Sequence, residues 1–455
     1  MSAPASPPRQ GLKLLPLVAL VFCLSAAGPF GIEELVPESG PGLAILLILV
    51  LPLFFGLPLG LAAGEMASRF PVEGGYYRWV RHVFGDFWGF QAGWWTLVGS
   101  WFDTALYAVL AAEYTEPLLQ MLADAGAIPA AVVPVGRQAV CLLIIAGCTL
   151  GNIRGIQTVG YSSIVFTIFI LSPFLLVCTL GVSHWSHNPL VPFTPPDMSL
   201  TAALGVSLLI GMWNYSGYES LSTVAEEIED PRRNYLRAVL IAIALTVPTY
   251  LLPLLFTLAI IPDWTTISAG SFVEVGRIVG GQYLGYWVAA AGIIMSLALF
   301  NAYTLAYSRI PFTMAQDGFL FRPLARTHKK YGTPWVSLLM GAVIYTALSF
   351  MSIKDLVVLD MWLFSAVYII IFLALWRIRW KPELGGEGGG YRFTIPLGRW
   401  SLLIMIIPPI AIALFAMFGS GSEYMIYGGP ALLSGFLVYP IMRWARRRFW
   451  FRTGH

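Results

Sequence analysis

The amino-acid sequence predicts an all-α integral membrane protein: twelve transmembrane helices in a five-plus-five inverted repeat, with helices 1 and 6 broken. Three observations carry this reading. The chain of 455 residues is 57% hydrophobic and only 11% charged, where soluble domains carry roughly 25% charge. Its apolar residues gather in runs of about 20, the length that crosses a bilayer. Two of those runs are interrupted in their middle by helix breakers.

The runs fall at 14–36, 43–63, 87–112, 138–150, 159–182, 200–225, 238–261, 284–312, 335–353, 356–376, 400–418 and 425–442. The fourth is short and has room to begin earlier, near Ile128. With both termini placed in the cytoplasm, 23 of the 27 Lys and Arg residues fall on that side and three, Arg137, Arg277 and Lys354, outside. Arg309 lies near the inner end of the eighth span. The bias fixes the orientation by the positive-inside rule, and one missed span would have scrambled it. Residues 12–27 imitate a signal peptide, but cleavage would discard one of the two matched breaks, so retention is expected.

The organisation follows. Residues 1–13 form a cytoplasmic tail, 14–182 the first repeat, 200–376 the second, 400–442 two added spans, and 443–455 a second cytoplasmic tail. The loop 377–399, basic and Gly-rich, reads as flexible, and 270–280 as a short external helix. Cys23, Cys141, Cys148 and Cys178 all lie in apolar runs and read as small hydrophobes. Gly385–Gly390 is a linker by composition, since neither a preceding strand nor a following Lys-Ser/Thr makes it a phosphate cradle. No nucleophile–base pair, metal-ligand set or nucleotide loop stands out. An enzyme, a cofactor and a nucleic-acid partner are therefore not expected.

The first break reads Ala26-Ala27-Gly28-Pro29-Phe30-Gly31 and is followed by Glu33 and Glu34. Gly costs helix stability, and Pro removes an N–H and clashes with the preceding turn. Carboxylates at such a depth cost several kcal/mol unless they have work or partners. The second break reads Trp213-Asn214-Tyr215-Ser216-Gly217-Tyr218-Glu219. Paired broken helices in two halves of one chain mark a secondary transporter. Their unwound backbone is tolerable because it lines a shared cavity, and the carbonyl ends of the half-helices attract cations.

Several side chains are candidates for that cavity. Asp103 lies mid-way in an otherwise apolar third span, with Tyr107 one turn on and on the same face. A carboxylate there pairs an ammonium while the aromatic covers its methylenes; the alternative is a structural ion pair with Arg309. Glu219 follows the second break as a second amine-pairing group, and with Asp103 it is a candidate for proton coupling; the alternative is a stabiliser of the break. Ala27, Gly28, Trp213, Asn214 and Tyr215 supply backbone or aromatic faces at the breaks. Glu33 and Tyr303 add a carboxylate and an aromatic, and Asp360, early in the tenth span, is placed for a second amine or as an interfacial acid.

The chain resembles the amino acid–polyamine–organocation superfamily along nearly its whole length. The matching motifs are Glu65-Met66-Ala67 through Gly74-Gly75-Tyr76, Gly217-Tyr218-Glu219-Ser220, Glu229-Asp230-Pro231-Arg232-Arg233, and Arg309 followed by Met314-Ala315-Gln316-Asp317-Gly318. It looks most like the polyamine uptake transporters of the L-type-amino-acid-transporter-like branch, on Gly28-Pro29-Phe30-Gly31-Ile32-Glu33, Trp88-Gly89-Phe90-Gln91, Asp103 with Ala105-Leu106-Tyr107, Ser222-Thr223 and Tyr331-Gly332-Thr333-Pro334. The resemblance implies the LeuT-like inverted repeat and import of putrescine- or spermidine-like cations across the cell membrane by alternating access, driven by protons. Amino-acid members hold the substrate carboxylate on a Gly-x-Gly turn; here Pro29 deletes a donor, Phe30 fills space and two Glu add negative charge. By the same resemblance Trp213 and Tyr303 match binding or gating Trp residues of arginine–agmatine-type exchangers. The polyamine uptake proteins carry an acid where this chain has Tyr303, which keeps a cationic or neutral amino-acid transporter as the rival reading. A non-transporting nutrient sensor is a more distant one. Animal L-type relatives join a glycoprotein through a Cys after span 3; loop 113–134 has none, so no disulfide-linked subunit is expected.

Overall fold

The computed structural model describes residues 13–26, 28–70, 75–155, 162–218, 228–384 and 393–445. Among these the chain is helical, with no strand. In order the helices are α1 (Leu14–Ser25), α2 (Leu35–Ser39), α3 (Pro41–Leu51), α4 (Leu57–Arg69), α5 (Gly75–Phe84), α6 (Asp86–Asp124), α7 (Val132–Ile153), α8 (Ser162–Gly181), α9 (Leu200–Asn214), α10 (Pro231–Ile260), α11 (Ser271–Tyr307), α12 (Arg309–Gln316), α13 (Trp335–Leu348), α14 (Ile353–Trp380), α15 (Leu402–Gly419) and α16 (Ser422–Ala445).

A helix overlaps each of the twelve apolar runs read from the sequence. Eight helical stretches among the described residues are long and apolar enough to cross a membrane, and α9 and α13 are shorter apolar helices. The fourth run grows into the 22-residue α7, and the third is extended by α6 to 39 residues. The far end of α6 is tied to α7 where Arg137 meets Glu113 at 2.6 Å and Glu116 at 3.5 Å.

Local sequence explains the starts and bends. Ser199 and Ser352 cap α9 and α14 by accepting from Ala202 N and Asp355 N, each cap being worth about 1 kcal/mol. Pro52 and Pro58 each remove a helical donor, and a π-turn at Pro52–Gly56 carries α3 into α4. The expected external helix at 270–280 is present: Gly281, at φ 74, kinks α11 and sets its first turns apart. The first turns of α11 bury Phe272, Val273 and Val275.

Close helix approach depends on missing side chains. A Cβ on Gly60 would stand 3.1 Å from Tyr218, and one on Gly64 would overlap the Tyr235 ring. α4 and α10 therefore pack nearly backbone to side chain, as small residues allow between membrane helices. Column α6 stands at the centre, against α5, α7, α11, α14 and α16, while α1 packs on α10 and α8.

The loop after α14 departs from the expectation of flexibility at 393–397. Phe393 and Ile395 are buried, and Phe393 stacks on Tyr235 at 4.9 Å. Ile395 N donates to the buried Glu65 at 2.8 Å. Arg379 bridges the same carboxylate at 2.6 Å and donates to the carbonyls of Ile395 and Leu397. Charge hidden among apolar residues needs such partners, and this loop supplies them.

Candidate substrate-binding site

The breaks expected at helices 1 and 6 are both present. α1 stops at Ser25, and the chain leaves helical geometry through Ala26, then Gly28 at φ 135 and Gly31 at φ 91. Those left-handed angles suit glycine, and Pro29 between them can donate no helical bond. A turn at Ile32–Glu34 and the short α2 resume the helix. α9 stops at Asn214; Tyr215 turns out at φ −111, and Gly217 follows at φ 93.

The two broken ends meet. A Cβ on Gly31 would lie 3.0 Å from the Trp213 ring. Tyr250 of α10 donates its hydroxyl to the Asn214 carbonyl at 3.0 Å and reaches the Ser25 carbonyl at 3.4 Å. Two helix C-termini, each carrying roughly half a negative charge, thus converge on one hydroxyl. Between them lies a cavity of about 30 Å³ whose walls include Ser25, Tyr107, Trp213, Asn214, Tyr250 and Tyr303. It has room for about one water-sized group. No charged side chain is among its described walls. Two open grooves of about 570 Å³ lie elsewhere, along Trp185–Leu190 and between Thr201 and Phe418, and neither reaches a break.

Asp103 sits just behind the cavity wall, 6% exposed. Trp213 Nε1 donates to its Oδ1 at 3.3 Å, and Tyr307 Oη to its Oδ2 at 3.0 Å. Tyr107 stacks on Tyr303 with centroids 5.2 Å apart, and Tyr303 stacks on Tyr307 at 5.2 Å and 8°. Arg309, the alternative partner for Asp103, is exposed at the start of α12. Asp360 is buried in α14, within electrostatic reach of Tyr107 and Tyr307.

The structure thus brings together Asp103, Tyr107, Trp213, Asn214 and Tyr303, with Gly28 in the break beside them and Asp360 nearby. Tyr215 faces elsewhere: its hydroxyl donates to the Ile48 carbonyl at 2.6 Å, bracing α9 on α3. Glu33, expected beside the ligand, is placed differently. Its carboxylate is fully buried and accepts from Tyr114 Oη at 2.6 Å, Gly31 N at 2.8 Å and Gly270 N at 3.3 Å. Glu34 accepts from Ala269 N at 2.9 Å. The two acids therefore tie the first break to the start of α11, and Phe30 packs edge-on against Tyr114, Phe174 and Phe272 in the same region. Ala27 and Glu219 lie outside the described residues.

Sequence reading missed Tyr250 and Tyr307. The second carries a signal, since it follows Tyr303 by one helical turn on the same face. Tyr250 has none: it is one aromatic in an apolar span.

A helical membrane protein whose two broken helices enclose a buried aromatic and acidic site is built as a transporter. The chain belongs to the amino acid permease family, of the amino acid–polyamine–organocation superfamily: that family's model matches residues 12–439. Its curated relatives include a protein of Arabidopsis thaliana named a probable polyamine transporter, 30% identical over 98% of this chain and 90% of the relative. The polyamine transporter RMV1 of the same plant is 29% identical over 97% of this chain and 87% of its own length. The polyamine transporter PUT1 of Oryza sativa subsp. japonica is 30% identical, over 97% of this chain and 80% of its own. The protein is a multi-pass membrane transporter and not an enzyme.

Proposed function

We propose that the protein imports polyamines, putrescine- or spermidine-like organic cations, as a proton-coupled secondary transporter working by alternating access. It does so with twelve spans in a five-plus-five inverted repeat, in the cell membrane, with both termini in the cytoplasm. One observation carries the choice of a cation: the carbonyl ends of α1 and α9, with Asp103 behind them, face a cavity that no cationic side chain among the described residues enters. An ammonium placed there meets partial and full negative charge, and its methylenes meet Tyr107 and Tyr303. Aromatic faces add up to about 2 kcal/mol for a desolvated ammonium. A carboxylate ligand would meet the same negative charge with one turn donor deleted at Pro29.

In this reading Asp103 pairs the first amine and Asp360 or Glu219 a second, with Asp103 and Glu219 the groups that exchange protons for substrate. The names of the plant relatives support the substrate class. A cavity of about 30 Å³ is far smaller than a polyamine, so loading requires the breaks to part, as alternating access demands. Glu33 and Glu34 serve that step by closing the first break onto α11.

The rival, a cationic amino-acid transporter, is favoured by one residue: Tyr303 stands where polyamine uptake proteins carry an acid. Radiolabelled spermidine uptake into proteoliposomes under an inward proton gradient, with and without excess arginine, separates them. Uptake that resists arginine supports the polyamine reading; arginine transported in its place overturns it.

A further inference from the structure

We propose that Tyr307 is the positioning residue of the cation site, holding Asp103 so that the Oδ1 oxygen is the one offered to the substrate. This rests on the reading that Asp103 pairs an ammonium, and it adds the residue that aims it. Both oxygens of Asp103 accept hydrogen bonds, but their donors differ in freedom. Trp213 stands on the last turn of α9, one residue before the break, and its contact is the longer, 3.3 Å. Its indole also forms a wall of the cavity. Tyr307 is fixed on three counts: it ends α11 where the backbone stays helical through Ser308 into α12, its ring is stacked on Tyr303, and that ring is stacked on Tyr107. Tyr107 and Asp103 are one turn apart on α6, as Tyr303 and Tyr307 are on α11. The two pairs interlock, so Tyr307 cannot leave Asp103 without sliding the whole stack.

A carboxylate has about four acceptor sites. Asp103 can therefore keep the Tyr307 bond at Oδ2 while an ammonium takes the place of the Trp213 N–H at Oδ1. Tyr307 does not need to touch the substrate. Its hydroxyl sets which oxygen faces the cavity and stops the carboxylate from rotating away.

The test is a double-mutant cycle on the purified full chain, read by equilibrium binding of radiolabelled spermidine and by uptake kinetics. Tyr307→Phe keeps the ring stack and deletes the hydroxyl. It should weaken spermidine binding by up to about ten-fold, the cost of ordering a carboxylate that is no longer held in place. KM should rise with it while kcat stays near wild type. In the background of Asp103→Asn the same substitution should change nothing further, because there is no carboxylate left to aim. A purely structural tyrosine would instead add its loss in both backgrounds. Additive losses, or unchanged binding in Tyr307→Phe, overturn the assignment. If the wild type binds labelled arginine in place of spermidine, the proposed substrate is displaced and this assignment is not. The cycle is then read with arginine, and the same two outcomes decide it.

Discussion

Glu33→Ala is the substitution whose cost the structure defines most fully. The carboxylate is buried and accepts three hydrogen bonds, from Tyr114 Oη at 2.6 Å, Gly31 N at 2.8 Å and Gly270 N at 3.3 Å. Truncation orphans all three donors, and solvent cannot reach them while the break is closed. Each orphaned buried donor costs about 1–3 kcal/mol, and the longest contact counts least, so the expected loss is about 3–5 kcal/mol. Glu33→Gln separates the effects. Its amide oxygen can still serve Tyr114 and Gly270, but its NH₂ then faces the Gly31 N–H, donor against donor. One clash of that kind costs about 1–3 kcal/mol. Thermal unfolding in detergent should therefore rank wild type above Gln and Gln above Ala. Spermidine affinity of the Gln variant should stay within about three-fold of wild type, because Glu33 is not among the cavity walls. A Gln variant as stable as wild type that binds spermidine as poorly as Asp103→Asn would return Glu33 to the ligand.

Gly31→Ala forces a side chain onto φ 91 and sets its Cβ 3.0 Å from the Trp213 ring. The backbone cost is roughly 1–2 kcal/mol, and the displaced indole should loosen from Asp103, read as a shift in Trp213 fluorescence and weaker spermidine binding. Arg379→Ala removes a partner from the buried Glu65 and two donors from the 393–397 segment. It should cost about 3 kcal/mol and expose that segment to limited proteolysis, where the wild type resists. Gly205→Ala should abolish the folded yield, since its Cβ would overlap the carbonyl of Gly419 where α9 crosses α15. Gly429→Ala, with nothing within 4 Å, should behave as wild type on size-exclusion chromatography.

What the sequence made legible is what local chemistry dictates. Gly28, Pro29, Gly31 and Gly217 announce the breaks because few other residues allow that backbone. Asp103 and Tyr107 announce a site because an acid in an apolar run needs a reason, and helical spacing gives it a companion. The partners that complete the geometry are remote in sequence. Glu33 meets Tyr114 across 81 positions and Gly270 across 237, so its role at the α11 start has no local mark. Tyr250 joins both broken ends from a span whose pattern is uniformly apolar. The segment 393–397 reads as loop by composition, yet Glu65 and Arg379 hold it through backbone groups, which every sequence possesses. Acids are visible as requirements; what meets them is decided by packing.

In the proposed function the broken helices hold an organic cation through Asp103. Equilibrium binding of radiolabelled spermidine to the purified wild type and to Asp103→Asn tests it most directly, with thermal unfolding run in parallel to confirm that both are folded. Saturable binding is expected in the wild type, unaffected by excess arginine, and binding at least about thirty-fold weaker in the folded variant, where the carboxylate partner of the ammonium is gone. Equal binding in both proteins would contradict it, while displacement of wild-type binding by arginine would overturn only the choice of a polyamine over a cationic amino acid.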